Sequence, residues 1–393
     1  MCGYENAVNF LVIMRDISWQ PKLAEPFDTL SPFRNSLLRF DAATKARRFG
    51  KAIIEDEQIL EDFSFGYKCQ IDGAENETVV SFDLNADDPV PGRIVAIIGR
   101  NATGKTRFLA KLSQDLVKTK RTSLVTEKQR EENFSTQRPI FNRLLALSFS
   151  AFDQFSRPQS EHASYVYCGI RNDSGGLSKK GLEERYQKNL LRIKDLGREN
   201  DWANYMLDIL GEAGKTIKKD FLRDIVDSES KEDALVLLSS GQAILAHAVT
   251  SLVAWVETES IVLFDEPETH LHPNAVASLL NVFNKILEEY NSYSIVATHS
   301  PVVIQEIPCK RVVIFEREGN ITTASKLDIE TFGENISELT RHVFDTIEIP
   351  SFYKETFKQL SKSNNFDEIM SLFDNNLSMS AQSFLMTMYM EKP

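Results

Sequence analysis

The chain has 393 residues, enough to bury a large core in one or two domains, with 57 Asp and Glu against 45 Lys and Arg, a net charge of −12. The acidic balance counts against a chain that is basic throughout, as tight DNA binders are over a domain or a face, while leaving room for a local patch. The four cysteines (Cys2, Cys69, Cys168 and Cys309) are scattered, which fits a reducing compartment and excludes a disulfide scaffold. The short apolar run Asn9–Met14 ends in Arg15-Asp16 and is not a signal peptide, and the longest apolar helical pattern, near 243–256, is too short to span a bilayer. A cytoplasmic protein without a membrane partner is expected.

Residues 1–90 carry three strand-like runs, Asn9–Met14, Tyr67–Ile71 and Thr78–Leu84, separated by polar stretches and read as an antiparallel β region. Arg93–Ile98 then reads as a buried strand. It leads into Gly99-Arg100-Asn101-Ala102-Thr103-Gly104-Lys105-Thr106 and a helical pattern over Thr106–Lys118. Strand, glycine loop and helix form the context of a P-loop. The glycines free successive backbone N–H groups to face phosphate oxygens, and the helix start adds its positive dipole end. Lys105 is expected to reach the β- and γ-phosphates and the Thr106 hydroxyl to ligate Mg²⁺.

After Leu145-Ala146-Leu147-Ser148-Phe149-Ser150, Gln154 is the best candidate for a glutamine at the first lobe's edge. Residues 156–236 are polar, helix-rich and free of sustained heptads, and are read as a compact helical lid rather than a long coiled-coil tether. The basic helical stretch Lys179, Lys180, Arg185, Lys188, Arg192 and Lys194 is either a contact for nucleic acid or an acidic partner, or a solvated helix face with interleaved glutamates.

Leu238-Ser239-Ser240-Gly241-Gln242 precedes an apolar helix over Ala243–Val256, with Ser239 or Ser240 as N-cap. A serine-bearing helix start is a second anion site, and one phosphate cradle is already present. This second one is therefore assigned to a nucleotide held by another subunit. Next, Ser260–Phe264 reads as a central parallel strand, with Asp265 at its C-terminal end in position to hold Mg²⁺ and Glu266 beside it to orient a water. Acidic pairs after strands also arise from loop solvation, but the P-loop in the same chain favours the catalytic reading. His270 and His272 lack a further Cys, His or Asp cluster for zinc and are placed in the loop linking two protomers. His299 ends the strand Tyr293–Thr298, where a neutral imidazole hydrogen-bonds a γ-phosphate. Helical patterns over Tyr353–Leu360 and Phe366–Phe373 and the Met-rich end Phe384–Met390 form a helical tail.

Taken in this order, Asn101 in the P-loop, Leu-Ser-Ser-Gly-Gln, the string Asp265-Glu-Pro-Glu-Thr-His-Leu-His-Pro273 and Ala297-Thr-His-Ser-Pro301 resemble the soluble ABC-type ATPases related to RecF, Rad50/SMC and OLD proteins. The resemblance covers roughly residues 60–340. The stretch Ser300–Pro308 through Glu330–Asn335 also resembles ATPases of bacterial antiphage systems, the Septu type with its HNH nuclease above all. Ser240 departs from the family's usual second glycine.

What the resemblance implies is an α/β ABC-type fold with an antiparallel β subdomain, a short helical lid insertion and a helical C-terminal tail. Its expected segments are 1–155 with the P-loop, 156–236 as lid, 237–345 as second lobe and 346–393 as tail. ATP and Mg²⁺ would sit between two protomers of a homodimer or higher homo-oligomer. Gly99–Thr106, Asp265, Glu266 and His299 of one face Ser239, Ser240 and Gly241 of the other. The tail leaves no room for a Toprim nuclease, so the implied function is ATP-dependent control of a separate effector such as an HNH nuclease. Two other readings remain, a RecF-like DNA-repair clamp acting directly on DNA and a transporter ATPase subunit.

Overall fold

The computed structural model describes residues 4–27, 30, 32–33, 37, 41–55, 63–117, 129–135, 138–150, 154–155, 164–171, 179–210, 239–344 and 352–390. Cys2, Leu238 and about half of the expected lid, including 211–236, lie outside them. The chain divides into two compact units, Met1–Leu339 and Thr340–Pro393.

The first unit opens with helices α1 (Tyr4–Ile13) and α2 (Asp41–Ile54) and an antiparallel hairpin of β1 (Phe65–Gln70) and β2 (Glu77–Phe82). Asn9–Met14, expected as a strand, lies almost entirely in α1. A six-residue apolar run carries no period that separates helix from strand, and here the helix forms. β3 (Ile94–Gly99) leads through the glycine loop into α3 (Lys105–Leu116), and β4 (Leu144–Ser148) and β5 (Tyr165–Tyr167) follow. Next come α4 (Lys179–Asp195), α5 (Glu199–Leu210), α6 (Ser240–Trp255), β6 (Ile261–Asp265), α7 (Pro273–Glu289), β7 (Tyr293–Thr298) and the short α8 (Pro301–Ile304). β8 (Val312–Glu318) and β9 (Ile321–Lys326) complete the sheet, and α9 (Ile336–Phe344) carries the boundary between the units.

Among the described residues seven strands form one sheet in the order β5-β4-β6-β7-β3-β8-β9. All neighbouring pairs are parallel except the β8–β9 hairpin. β4, β6 and β7 are buried at every residue, which is why they read as unbroken apolar runs rather than alternating ones. In the parallel register the C-terminal ends of β3, β4, β6 and β7 emerge together, so Gly99, Ser148, Asp265 and Thr298 share one edge. Ligands of open α/β sheets bind at that edge.

α4 and α5 pack on α6 through a buried polar seam. Trp202 Nε1 donates to Thr250 Oγ1 (2.9 Å), Asn189 Nδ2 to Ser251 Oγ (3.0 Å) and Trp255 Nε1 to Asn189 Oδ1 (2.8 Å). The C-terminal carbonyls of α6 are capped by arginines from outside it: Arg192 binds Ala254 O, Arg198 binds Val253 O and Val256 O, and Arg143 binds Trp255 O. Cations at a helix C-terminus oppose its negative dipole end. Arg192 also stacks 4.0 Å over Trp255, and Arg185 donates to Arg171 O. Two cations of the expected basic patch are therefore engaged inside the fold, which favours the structural reading of that helix over a nucleic-acid contact.

The second unit holds α10 (Phe352–Leu360), α11 (Phe366–Leu372, begun by an Asn365–Glu368 capping box) and α12 (Met379–Met390). Its small core is Phe357, Ile369 and Leu385, with Phe366, Phe384, Met388 and Tyr389 packed around it. Within the Met-rich end, Met386 and Met390 are 50% and 87% exposed, while Met388 packs against this core.

Candidate functional site

The glycine loop closes on the end of β3 for steric reasons that only glycine satisfies. A Cβ at Gly99 would lie 2.3 Å from Phe315 O on β8. Gly104 sits at φ +100°, and its Cβ would press to 2.8 Å on Ile71 Cγ2. Lys105, the first residue of α3, is almost fully buried and turns its Nζ back onto Gly99 O (2.8 Å) and Arg100 O (3.0 Å). The loop is thus held in a crown around its own ammonium. Burial lowers the Lys105 pKa, and the carboxylates of Glu266, Asp265 and Glu268 work against that shift.

Asp265, at the end of β6, is fully buried. Thr106 Oγ1 lies 3.0 and 3.1 Å from its two carboxylate oxygens, and Ser148 Oγ, its register partner on β4, is 3.5 Å from Oδ2. A buried carboxylate faced by a threonine and a serine hydroxyl suits a hard divalent cation that draws its other ligands from phosphate and water. The residues therefore fit Mg²⁺ carried in with a nucleotide. Among the described residues no cluster of three or more His, Cys, Asp or Glu forms an independent metal site.

Glu266 follows in the left-handed region at φ 50°, its N–H fixed on Ala297 O (2.8 Å). A non-glycine residue held there stores strain that the surrounding strands must offset, and here it aims a carboxylate across the end of β7. His299 stands just beyond β7. Its Nδ1 is 3.2 Å from Glu268 Oε1 and 3.8 Å from Glu266 Oε1. Neither contact is aligned as a hydrogen bond, so both act by charge. Glu266 beside it raises the His299 pKa, Glu268 adds to this, and burial opposes it. In turn His299 lowers the Glu266 pKa, helped by the Thr269 hydroxyl (3.3 Å). The two carboxylates favour the protonated imidazole where the sequence reading expects the neutral form.

Two residues of this corner escaped the sequence reading. Glu268 Oε1 accepts from Thr298 Oγ1 (2.6 Å) and from the His299 N–H (2.8 Å), binding the loop after β6 to the end of β7. Ser148 is the other. Its one signal is a polar residue closing the apolar run of β4.

Ser239 caps α6 and forms a capping box with Gln242, its N–H on Gln242 Oε1 (3.0 Å) and its hydroxyl accepting from Gln242 N (3.4 Å). Ser239 and Ser240 are exposed. A Cβ at Gly241 would meet nothing nearer than His270 O at 3.4 Å, an ordinary contact. His272 caps α7 by accepting from Asn274 N (3.4 Å), and His270 sits at φ 66° in the loop before it. Gln154 is exposed and lies six residues beyond the end of β4.

The crown at Gly99–Thr106, the acid at the end of β6 and the mixed seven-stranded sheet define an α/β P-loop ATPase of the ABC type. Residues 174–305 match a domain family described as "AAA domain, putative AbiEii toxin, Type IV TA system". The chain is 28% identical over 419 residues to Protein ea59 of Escherichia phage lambda, covering 98% of this chain and 79% of that protein. It is 26% identical to the lipoprotein-releasing system ATP-binding protein LolD of Buchnera aphidicola, covering 61% of this chain and 85% of that one. Similar solved structures include the ADP-bound cassette MJ1267 of an ABC transporter (13% identity, 74% of this chain and 97% of that one, TM-score 0.35). Another is an SMC head bound to the ScpA winged-helix domain (13%, 68% and 98%, TM-score 0.31). The chain is an ATPase, and among the described residues no helix is long and apolar enough to cross a membrane.

Proposed function

We propose that two copies of this chain close around ATP and that the closed assembly controls a separate effector protein, a nuclease of the HNH kind, in a bacterial antiphage system. Gly99–Thr106 cradle the phosphates; Lys105 leaves its two carbonyl partners for the β- and γ-oxygens. Thr106 and Asp265 hold Mg²⁺, which neutralises phosphate charge. Glu266 accepts from the attacking water, and His299 donates to the γ-phosphate from its protonated ring. Gln154 completes the first lobe's edge, and the cytoplasm is the expected compartment. The roles of Lys105, Thr106, Asp265, Glu266 and His299 are supported by their geometry at one sheet edge.

The observation that carries the two-copy arrangement is Gly241. Its own fold does not require a glycine, yet it stands beside exposed Ser239 and Ser240 at the start of a sixteen-residue helix. An exposed helix start with serine hydroxyls suits phosphate oxygens delivered by another protomer. The matched family's description as a toxin of a type IV toxin–antitoxin system supports a place in defence, and the net charge of −12 supports a protein partner over direct DNA binding.

Native mass spectrometry of Glu266→Gln protein, expressed from its own operon with ATP and Mg²⁺, tests this reading. A complex containing a second polypeptide supports it. A bare homo-oligomer whose ATPase is stimulated by DNA favours the clamp reading instead.

A further inference from the structure

A groove of about 460 Å³ lies on the first unit, outside the nucleotide corner. Its walls are apolar: Ile94, Ala277, Leu280, Ile307, Pro308 and Phe332. Phe332 stands at 51% exposure, while Leu280 and Ile307 are nearly fully buried and form the floor. Four polar side chains line it: Ser278 and Asn284, which hydrogen-bond within α7, and Glu306 and Asn281. Glu306 and Asn281 are exposed, and among the described residues neither makes a side-chain hydrogen bond or ion pair. An apolar trough with a few unengaged polar groups is the usual make-up of a binding site.

The charge around the groove leans to one sign. Lys310 and Arg311 are matched by Asp88 and Lys285 by Asp208 (2.7 Å), while Arg93, beside Ile94, is held by the neutral oxygens Asn291 Oδ1 and Ser292 O. The carboxylates are not all matched by cations. Glu330, next to the Phe332 wall, accepts from the backbone N–H groups of Cys309, Thr331 and Phe332, and these hold its pKa below the ordinary carboxylate value. Among the described residues no cation faces it, and Glu306 adds a second carboxylate without an ion pair. Such a rim repels nucleic acid and anionic lipid and attracts a basic segment.

The walls also lead directly to the nucleotide. Ile94 opens β3, which ends at Gly99; α7 follows the loop bearing Asp265, Glu266 and Glu268; Glu306 and Ile307 follow α8, which starts two residues after His299. A ligand lodged between these three segments touches the start of β3, whose other end is Gly99, and two segments that follow the loops carrying Asp265 and His299.

We infer that this groove docks a short segment of a partner protein in which a lysine or arginine lies beside a bulky apolar side chain. The apolar side chain fills the trough against Phe332 and Leu280, and the cation meets Glu306 with Glu330 behind it. That the partner is the effector rests on the regulator reading above; that the groove binds such a segment does not. Because binding there and ATP at the sheet edge act on shared elements, each shifts the affinity for the other by the same factor.

The test uses the full chain and a displayed library of random peptides of about 12 residues as probe. Peptides selected on the wild-type protein are expected to pair Lys or Arg with Leu, Ile or Phe. Their affinity is expected to fall about tenfold in Glu306→Lys and in Phe332→Ala, with basal ATPase activity unchanged. Selected peptides that are acidic, that bind both variants as well as wild type, or that do not rise above the unselected library overturn the inference. A photo-crosslinking residue at Asn281 provides the second readout. A crosslink to a basic segment of another protein agrees with the inference; crosslinks to a second copy or to this chain's own residues 340–393 overturn it. Peptide binding at the groove with no second polypeptide in the native mass spectrum removes the effector reading and leaves the groove standing. A second polypeptide that binds Glu306→Lys and Phe332→Ala normally does the reverse.

Discussion

Glu268 and Thr298, thirty residues apart, are joined by a 2.6 Å hydrogen bond, and the same Glu268 oxygen accepts the His299 N–H at 2.8 Å. The carboxylate therefore sets where His299 stands relative to Glu266. Its other oxygen is buried with no hydrogen-bond partner among the described residues, so the group makes this contact at some desolvation cost. Glu268→Ala leaves a backbone donor unsatisfied and is expected to destabilise the chain by about 1–3 kcal/mol and to lower ATPase activity about tenfold or more. Thermal unfolding with steady-state ATPase rates checks both effects; unchanged activity in the folded variant would show that His299 does not depend on this tie.

This bond marks where sequence reading stopped. β3, β6 and β7 were legible because strands buried on both faces read as unbroken apolar runs, and the glycine loop and the Asp265-Glu266 pair announce themselves by spacing. Glu268 reaches Thr298 only because β6 and β7 are sheet neighbours, which no local pattern states. Ser148 meets Asp265 for the same reason. Arg185 and Arg192 looked like a solvated or ligand-binding face, but long side chains fold back onto carbonyls and Trp255 when those are within reach. The apolar run at Asn9–Met14 was too short to carry a period.

The His299–Glu266 pair makes a pH prediction with a definite sign. His299 has a folded pKa raised above 6.5, so its contribution is full below that value and is lost as pH rises through the folded pKa. Glu266 has a folded pKa lowered below 4.5, so its contribution is present above 4.5 and is lost as pH falls through the folded pKa. The pair is at full strength between 4.5 and 6.5. The Tm difference between wild type and His299→Ala is expected to be larger near about pH 6 than near about pH 9. With the His299 side chain 41% exposed, solvent screening keeps the effect small. A difference that grows toward alkaline pH contradicts the assignment.

Gly99→Ala tests the crown. Its Cβ would lie 2.3 Å from Phe315 O, a backbone atom that cannot swing aside. The expected loss is about 1–3 kcal/mol of stability together with weaker nucleotide binding. Calorimetry of the apo protein and fluorescent-ATP titration separate the two effects, and normal nucleotide affinity would show that the loop tolerates a shifted β8.

Trp202→Ala tests whether α4 and α5 hold α6 in place. Trp202 is 1% exposed and its indole donates to Thr250. The truncation is expected to cost about 3–5 kcal/mol, and Trp202→Phe less, since Phe keeps most of the volume and loses the hydrogen bond. Equal losses in denaturant titrations of the two variants would locate the effect in the hydrogen bond rather than in packing.

The central claim is that ATP closes two copies of this chain on each other. Sedimentation velocity of Glu266→Gln, with and without ATP and Mg²⁺, tests it most directly, with Lys105→Ala as the control that lacks the phosphate-binding ammonium. The account predicts an ATP-dependent doubling of mass in Glu266→Gln and none in Lys105→Ala. The same mass for Glu266→Gln with and without ATP, while fluorescence titration shows the nucleotide bound, would contradict it.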